Sequence, residues 1–403
     1  MRYSQLFAHT NKSAKQQDSV NATLLTKAGF IYQTMAGVYT FLPLGLRVLN
    51  KIENIIRGEM DKLGSELLMT TLSPKENWQT TGRLDSVDVL MKAVPANDAA
   101  QARHNGEYII NPTHEDLITP IAQRFKPSYK DFPFAVYQIQ TKFRNEPRAK
   151  SGLLRGREFR MKDLYSFHTS EADLKPFYEK VKESYKAIFN KLGLGKDTVV
   201  AVASGGDFTK EYSHEFQTIC ETGEDTIYID EENNMVYNKE VAPADTSSMK
   251  EVKACEVGNL FPLGTRFPDA FDYKFVDAEG NRQPIYMASY GLGSSRVMGV
   301  LVEKFHDDKG IIWPETVAPF KVHLISIRVS GDKIYKTLQA HNIEVLYDDR
   351  EDVSPGQKFG DADLIGIPWR VVVSAKTGEQ IEVKHRTQEE SHLTDFASFL
   401  KEL

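Results

Sequence analysis

Apolar residues recur at three- and four-residue spacing through Leu46, Leu49, Ile52, Ile56, Met60 and Leu63. That period predicts an amphipathic helix over Gly45–Leu63, with Gly64 as its C′ stop. A second stripe runs through Leu174, Phe177, Val181, Tyr185, Ile188, Phe189 and Leu192 and predicts a helix over Ala172–Leu192. Ser170 with Asp173 reads as its cap, and Pro176 falls near its start. Two runs, Ala135–Arg144 and Arg157–Ser166, read instead as strands joined by a charged loop. Strand geometry puts Val136, Gln138, Gln140, Lys142 and Arg144 on one face of the first. In the second, Glu158, Arg160, Lys162 and Leu164 oppose Phe159, Met161, Asp163 and Tyr165. A polar face on a central strand is costly unless it lines a site. Asn111-Pro112-Thr113 and Lys126–Asp131 are turn signals, and the polar, weakly periodic Asn233–Lys253 reads as a loop or short excursion. Two prolines mark a linker at Trp313–Pro319. Beyond it, strands at Lys321–Ile327, Ile343–Tyr347 and Arg370–Val373 alternate with helices at Lys333–His341 and Gln357–Ile365. That alternation predicts a small domain with a mixed sheet. The fold class expected is α/β (α+β).

Composition narrows the class without naming it. At 403 residues, two or three domains are expected. No apolar run approaches the ~18–20 residues that span a bilayer, and the first residues have no apolar core of a secretory leader. Cys220 and Cys255 have no Cys-x-x-Cys partner, so no structural zinc is expected. Their scarcity fits a reducing, cytoplasmic setting. A net charge of −6 argues against a nonspecific nucleic-acid coat protein but allows local basic patches.

Charge distribution points to the chemistry. Lys142–Lys162 holds eight Lys/Arg against Glu146 and Glu158, a net +6 inside a chain of −6. Guanidinium forks suit phosphate, a carboxylate suits an amine, and an aromatic face suits stacking. A nucleotide fits that mixture.

The same residues carry a resemblance. Phe143-Arg144-Asn145-Glu146, a variable loop and Phe159 resemble motif 2 of the class II aminoacyl-tRNA synthetases. Tyr290-Gly291-Leu292-Gly293-Ser294-Ser295-Arg296 resembles motif 3, and Thr113-His114-Glu115 the amino-acid-binding Thr-x-Glu loop. With Tyr137–Arg144, Met161–Asp163, Tyr165–His168 and Ser213–Gln217, the chain resembles the bacterial-type prolyl-tRNA synthetase family over nearly its full length. The resemblance implies an antiparallel-sheet catalytic domain over 1–316 and an anticodon-binding domain over 317–403. It implies ATP as substrate, Mg²⁺, L-proline, tRNA(Pro) and a homodimer. Arg144 is expected to bridge the proline carboxylate and the α-phosphate, with Arg296 clamping the γ-phosphate side. Glu146 is expected on the adenine amine, Phe159 on the adenine face and Arg155 on the phosphates, with Arg157 two residues away as its competitor. Gln217 and Thr218 are candidates for ribose and phosphates, and Gly291 and Gly293 for close backbone approach to the nucleotide. Thr113 and Glu115 are expected to accept the two N–H donors of proline's secondary ammonium. Glu215, Ser289 and His168 are candidate pocket walls, and a packed core histidine is an equal reading of His168.

Two positions depart from the family pattern. Thr70 stands where motif 1 (around Leu67–Leu72) usually has a dimer-interface proline, and Ser289 where many relatives have cysteine. Many relatives also carry an editing domain inserted where this chain has only residues 233–253, too short for an independent core. The alternatives are a threonyl, glycyl or histidyl synthetase, or a catalytically silent paralogue. Such paralogues typically lose the motif 2 or motif 3 residues, and Arg144, Glu146 and Arg296 are all present.

Overall fold

A computed structural model describes residues 1–206 and 212–403, the side chain of Tyr212 excepted. The chain forms two compact units. One comprises Met1–Met35, Tyr39–Ile52 and Met298–Leu403, and the other Ala36–Val38 and Glu53–Val297.

The second unit is built on a nine-stranded sheet. Its centre is the predicted pair, observed as Phe134–Phe143 and Glu158–His168, antiparallel with Lys142 opposite Phe159 and Gln138 opposite Asp163. Tyr286–Leu292 adds beside the second strand, and the long strand Lys250–Gly264 beside that. Pairing is antiparallel except at Tyr237 beside Val202 and Ser65–Glu66 beside Val136–Tyr137. Directly opposed residues of antiparallel strands share a face. Arg144, Lys142, Gln138, Phe159, Met161 and Asp163 therefore line one side of the sheet, as the alternation predicts. An aromatic and aliphatic cluster of Tyr165, Phe167, Phe267, Tyr273, Ile285 and Met287 packs this unit's interior.

The predicted helices form with shifted ends, at Pro43–Met60 and Glu171–Lys191. Leu44, Val48, Ile52, Ile56 and Met60 are all buried, a strict four-residue stripe. Ser170 caps the second helix by accepting from the Asp173 N–H, and Pro176 lies inside it. Gly64 does not stop the first helix through a left-handed backbone, since it is not among the positive-φ residues. A Cβ there would lie 2.5 Å from the Ala135 carbonyl oxygen, so the glycine is needed for close approach to the neighbouring strand. The motif 1 segment is not one strand either. Ser65–Glu66 and Leu72–Pro74 are separate strands, and between them the Gln138 side chain accepts from the Met69 N–H at 3.0 Å while Gln140 donates to the Met69 carbonyl at 3.0 Å. Side chains replace the missing ladder.

Asn233–Lys253 is more ordered than its polar composition suggests. Met235–Asn238 is a strand paired with Asp225–Asp230. It closes a ring of five strands with Thr198–Ser204, Tyr212–Ile219 and Lys250–Gly264. Sheet membership satisfies its backbone, so the segment needs no apolar alternation to be a strand.

In the first unit, a five-stranded sheet is parallel among Val345–Asp348, Val322–Ile327 and Trp369–Ser374, then antiparallel through Ile381–His385 and His392–Thr394. The last two strands and the helix Phe396–Glu402 were not legible in the sequence. The prolines at 314 and 319 do not mark an exposed linker. Trp313, Val317, Ala318 and Phe320 are buried, and the Trp313 indole donates to the Ile365 carbonyl at 3.0 Å.

Candidate active site

A cleft of about 350 Å³ opens on the polar face of the nine-stranded sheet. Thr113, Glu115, Arg144, Glu146, Arg155, Phe159, Glu215, Ser289, Gly291, Gly293 and Arg296 all line it. These eleven come from two loops, a strand-to-helix turn, two helix N-termini and three strands.

One end is organised around a single carboxylate. Glu115 opens the helix Glu115–Phe125 and is 1% exposed. Thr113 Oγ1 donates to its Oε2 at 2.5 Å, and Ser289 Oγ to its Oε1 at 2.9 Å. Arg83, itself buried, reaches Glu115 Oε2 at 3.5 Å and pairs with Asp116 at 2.6 Å. Hydrogen bonds to both oxygens fix its direction. Such a carboxylate is set for an ammonium group. Arg83 gave no signal in the sequence, because nothing in its local pattern separates it from a surface arginine.

Beneath this loop lies a buried polar chain. Lys142, with no exposure, pairs with Asp163 at 2.8 Å and donates to His114 Nδ1 at 2.5 Å. His114 Nε2 then donates to the Thr70 carbonyl at 3.1 Å, and Tyr165 Oη donates to Asp163 at 2.8 Å while accepting the His114 N–H at 3.1 Å. Burial, with the Lys142 charge beside it, pushes the His114 imidazole down to about 4, so it stays neutral and accepts from lysine. The chain locks the backbone of Thr113–Glu115 from below. Removing one member of such a buried pair costs about 3–5 kcal/mol.

The middle of the cleft holds the cations. The Arg144 guanidinium stands 5.1 Å from the Phe159 ring centroid. Among the described residues no acid forms an ion pair with it. Burial, and next the like charge of Arg296, depress its pKa. A cation held this way is stabilised only when an anion arrives. Arg296 is fixed through the carbonyls of Leu154 at 2.7 Å and Glu256 at 2.8 Å. Arg155 pairs with Glu146 at 2.7 Å and Glu224 at 3.1 Å. Burial opposes the Glu146 charge, but the hydrogen bond and charge of Arg155, the Arg148 backbone and the charge of Arg144 together outweigh it and hold the carboxyl below its ordinary range. Arg157 turns away, donating to the carbonyls of Glu146 and Ala36, so Arg155 is the arginine of this loop that faces the cleft. Gly291 has a reason in the apo protein. Its N–H donates to Asn259 Oδ1 at 3.0 Å, and a Cβ would lie 2.7 Å from that oxygen. For Gly293 a Cβ would meet only Arg296 Cβ at 3.2 Å.

The remaining wall is acidic. Glu215 accepts from Gln217 at 2.9 Å and Asn238 at 3.0 Å, and burial, then the neighbouring Glu256, raise its pKa to about 8. Gln217 also donates to Asp225 at 2.8 Å, and its buried Oε1 has no partner among the described residues. Asn238 and the cleft-lining Glu240 both come from the short segment read as a loop. Among the described residues no three His, Cys, Asp or Glu side chains form a metal cage. Glu256 lines the cleft with Arg296, and the carboxylate of Glu215 lines it beside Gln217, whose buried Oε1 is without a partner among the described residues. Mg²⁺ usually takes only one or two carboxylates and completes its shell with substrate phosphates and water, so these residues fit it.

Three predicted residues lie outside the cleft lining. His168 is buried, donates from Nδ1 to Asp173 at 3.1 Å and packs on Phe177 at 5.3 Å, which is the core-histidine reading. Thr218 exchanges a hydrogen bond with Thr198 at 2.9 Å, on the strand face opposite Gln217. Gln217 touches the cleft lining through its hydrogen bond to Glu215.

The "tRNA synthetase class II core domain (G, H, P, S and T)" family matches residues 99–305, the stretch that supplies the cleft, and the "Anticodon binding domain" family matches 317–403. The protein is therefore a class II aminoacyl-tRNA synthetase by fold and by site. It is 38% identical to the proline--tRNA ligase of Ehrlichia chaffeensis over the whole of both chains. It is 36% identical to that of Rhodopseudomonas palustris over 96% of each. The chain belongs to the proline–tRNA ligase family. Its fold is shared with the Cryptosporidium parvum prolyl-tRNA synthetase complexed with L-proline and AMP, at a TM-score of 0.76 and 17% identity over 95% of this chain and 73% of that one. No described helix is long and apolar enough to cross a membrane.

Proposed function

We propose that this protein joins L-proline to tRNA(Pro) in two steps, by way of a prolyl-adenylate. The observation that carries the reading is Arg144, a guanidinium without an ion-pair partner among the described residues, lining the same cleft as the fixed carboxylate of Glu115. The first step joins two anions, the amino acid carboxylate and the α-phosphate of ATP. Arg144 serves both by screening their repulsion as the carboxylate attacks. Thr113 and Glu115 take the secondary ammonium. Phe159 stacks on adenine, Glu146 accepts from its amine, and Arg155 and Arg296 hold the phosphates. Glu256 is the residue to hold Mg²⁺, which when bound neutralises phosphate charge. No side-chain nucleophile is needed, because positioning and electrostatics supply the rate.

The tRNA reading rests on the C-terminal sheet over 317–403. A cleft of about 760 Å³ lies beyond the carboxyl ends of Val322–Ile327 and Val345–Asp348. Ligands of open parallel sheets bind there. Arg328 lines it with no ion pair among the described residues and a left-handed backbone at φ 57°. Strain of that kind collects at binding sites. A homodimer is proposed from the motif 1 surface, where Leu68 and Leu72 stand 74% and 45% exposed. A cytoplasmic setting suits two buried free cysteines.

The direct test is ATP–pyrophosphate exchange with proline, threonine, glycine and histidine offered singly. Exchange with proline alone is expected, and exchange driven by another of the four overturns the assignment. A proline pocket excludes alanine only by lost contacts, worth ~1–3 kcal/mol per methylene. With only residues 233–253 in place of an editing domain, pre-formed Ala-tRNA(Pro) is expected to deacylate at the spontaneous rate. Faster hydrolysis places an editing site elsewhere in the chain.

A further inference from the structure

The cleft in the C-terminal sheet has a wall that comes from the other end of the sequence. Arg2 forms a parallel bridge with Tyr347, extending the sheet past Val345–Asp348. The Arg2 guanidinium lies 5.0 Å from the Tyr347 ring centroid and 5.4 Å from that of Tyr335, and it pairs with Asp332 at 2.6 Å and Asp349 at 3.2 Å. Ser4 donates to both oxygens of Asp349, from its N–H at 3.0 Å and its hydroxyl at 2.9 Å. Tyr3 has no exposure, and its ring lies 3.9 Å beneath the Arg350 guanidinium. Arg350 is held from its other sides by Asp348 at 2.6 Å and Asp361 at 2.9 Å, and Lys12 reaches the same Asp361 at 2.9 Å. The arm is thus a built element, tied down by an ion-pair network, a cation–π contact and a buried ring.

We propose that the N-terminal arm, Arg2–Leu6, is an integral wall of the RNA-binding cleft, in which Arg2 presents its guanidinium and Tyr3 and Ser4 position Arg350 and Asp349 against single-stranded tRNA bases. This rests on the reading that the cleft takes tRNA. The chemistry matches an unstacked base. Guanidinium planes stack on base faces, carboxylates accept from base amino and imino N–H groups, and both types line this cleft. The mixture also explains how an acidic domain contacts RNA, through shape, stacking and base edges more than through bulk positive charge. Without Tyr3, nothing supports the face of Arg350 that the ring now covers. Without Ser4 and Arg2, Asp349 loses the three hydrogen bonds that direct its oxygens.

The experiment uses the full chain and an unmodified tRNA(Pro) transcript, with binding read by fluorescence anisotropy and folding by thermal melt. Tyr3→Ala and Arg2→Ala are each expected to weaken tRNA binding about tenfold, the loss of roughly one base-stacking contact. Tyr3→Phe keeps the ring beneath Arg350 and is expected to bind within twofold of the parent. Arg328→Ala, which lines the same cleft and makes no hydrogen bond or ion pair with the arm among the described residues, tests the cleft itself. Weak binding by Arg328→Ala with parental binding by both arm variants overturns the arm's role and leaves the cleft reading standing. Parental binding by all three variants overturns the cleft reading. If Tyr3→Ala fails to fold, the partly exposed Arg2→Ala decides the question, and parental binding by that variant refutes the proposal. Tyr3→Phe binding as weakly as Tyr3→Ala also refutes it, because ring position is then not what matters.

Discussion

Arg144 and Arg350, one in each compact unit, are held in opposite ways. Arg350 meets two carboxylates and an aromatic face, so its charge is compensated within the folded chain. Arg144 meets an aromatic ring and the like charge of Arg296, with no ion pair among the described residues. Both stand just past the ends of sheet strands and both are partly shielded from water. The difference separates a cation whose charge its own chain already balances from one that waits for an anion. A buried charge that folding leaves uncompensated lowers stability, and it persists where a bound anion returns the cost in function.

The comparison breaks first on stability. Arg350→Met removes the cation shared by Asp348 and Asp361, leaving Asp361 to the half-exposed Lys12 and Asp348 to Lys358 at 3.7 Å, and is expected to cost about 3 kcal/mol. Arg144→Met strands no acid and is expected to cost at most about 1 kcal/mol. Equal destabilisation in chemical denaturation would erase the distinction. Activity should invert that order. Arg144→Lys keeps the charge but loses the planar fork, and proline-dependent pyrophosphate exchange is expected to fall about 10²–10³-fold, as for loss of a transition-state donor. A folded Arg144→Lys enzyme exchanging at near parental rate would remove Arg144 from its bridging role.

Protonation sharpens the comparison within the acidic wall. Burial, then Glu256, raise Glu215 to about 8, well above the ordinary carboxylate value. Between about pH 4.5 and pH 8 the folded protein therefore holds a proton that the unfolded chain has released. The stability contributed by this group is complete below 4.5 and is lost as pH rises through 8. Glu215→Gln mimics the protonated acid. Its melting temperature is expected to match the parent near pH 4.5 and to exceed it progressively up to pH 8. Parallel curves across that range would show that Glu215 ionises normally. The smallest effect belongs to Thr218→Val, which loses one hydrogen bond to Thr198. It should cost about 1 kcal/mol of stability and leave the apparent KM for ATP unchanged. A severalfold rise in that KM would return Thr218 to the nucleotide site.

Much of the site was legible because strand alternation alone decides which residues share a face. Lys142 and Arg144 could be placed on one face of their strand, and Phe159 and Asp163 on one face of theirs, from spacing alone, while the register that joins the two faces comes from the pairing. Thr218 could not be separated from Gln217 without knowing which face of its strand the cleft occupies. The segment 233–253 shows the same limit. Its composition is that of a loop, yet hydrogen bonding to strands at its sides makes part of it a strand and delivers Asn238 to Glu215.

The sequence by itself determined the strand pair, the two long helices, the mixed C-terminal sheet and the family motifs. Each rests on local period or on residues close together in the chain. Only the tertiary structure decided which charges are neutralised. That Arg83 fixes Glu115, that burial and Lys142 keep His114 neutral, that Arg155 and not Arg157 enters the cleft, and that Arg2 and Tyr3 belong with Arg350 are facts of distance between groups up to 347 positions apart in the chain. Electrostatic interaction falls off with separation in space and has no memory of separation along the chain, so no reading of periodicity recovers it.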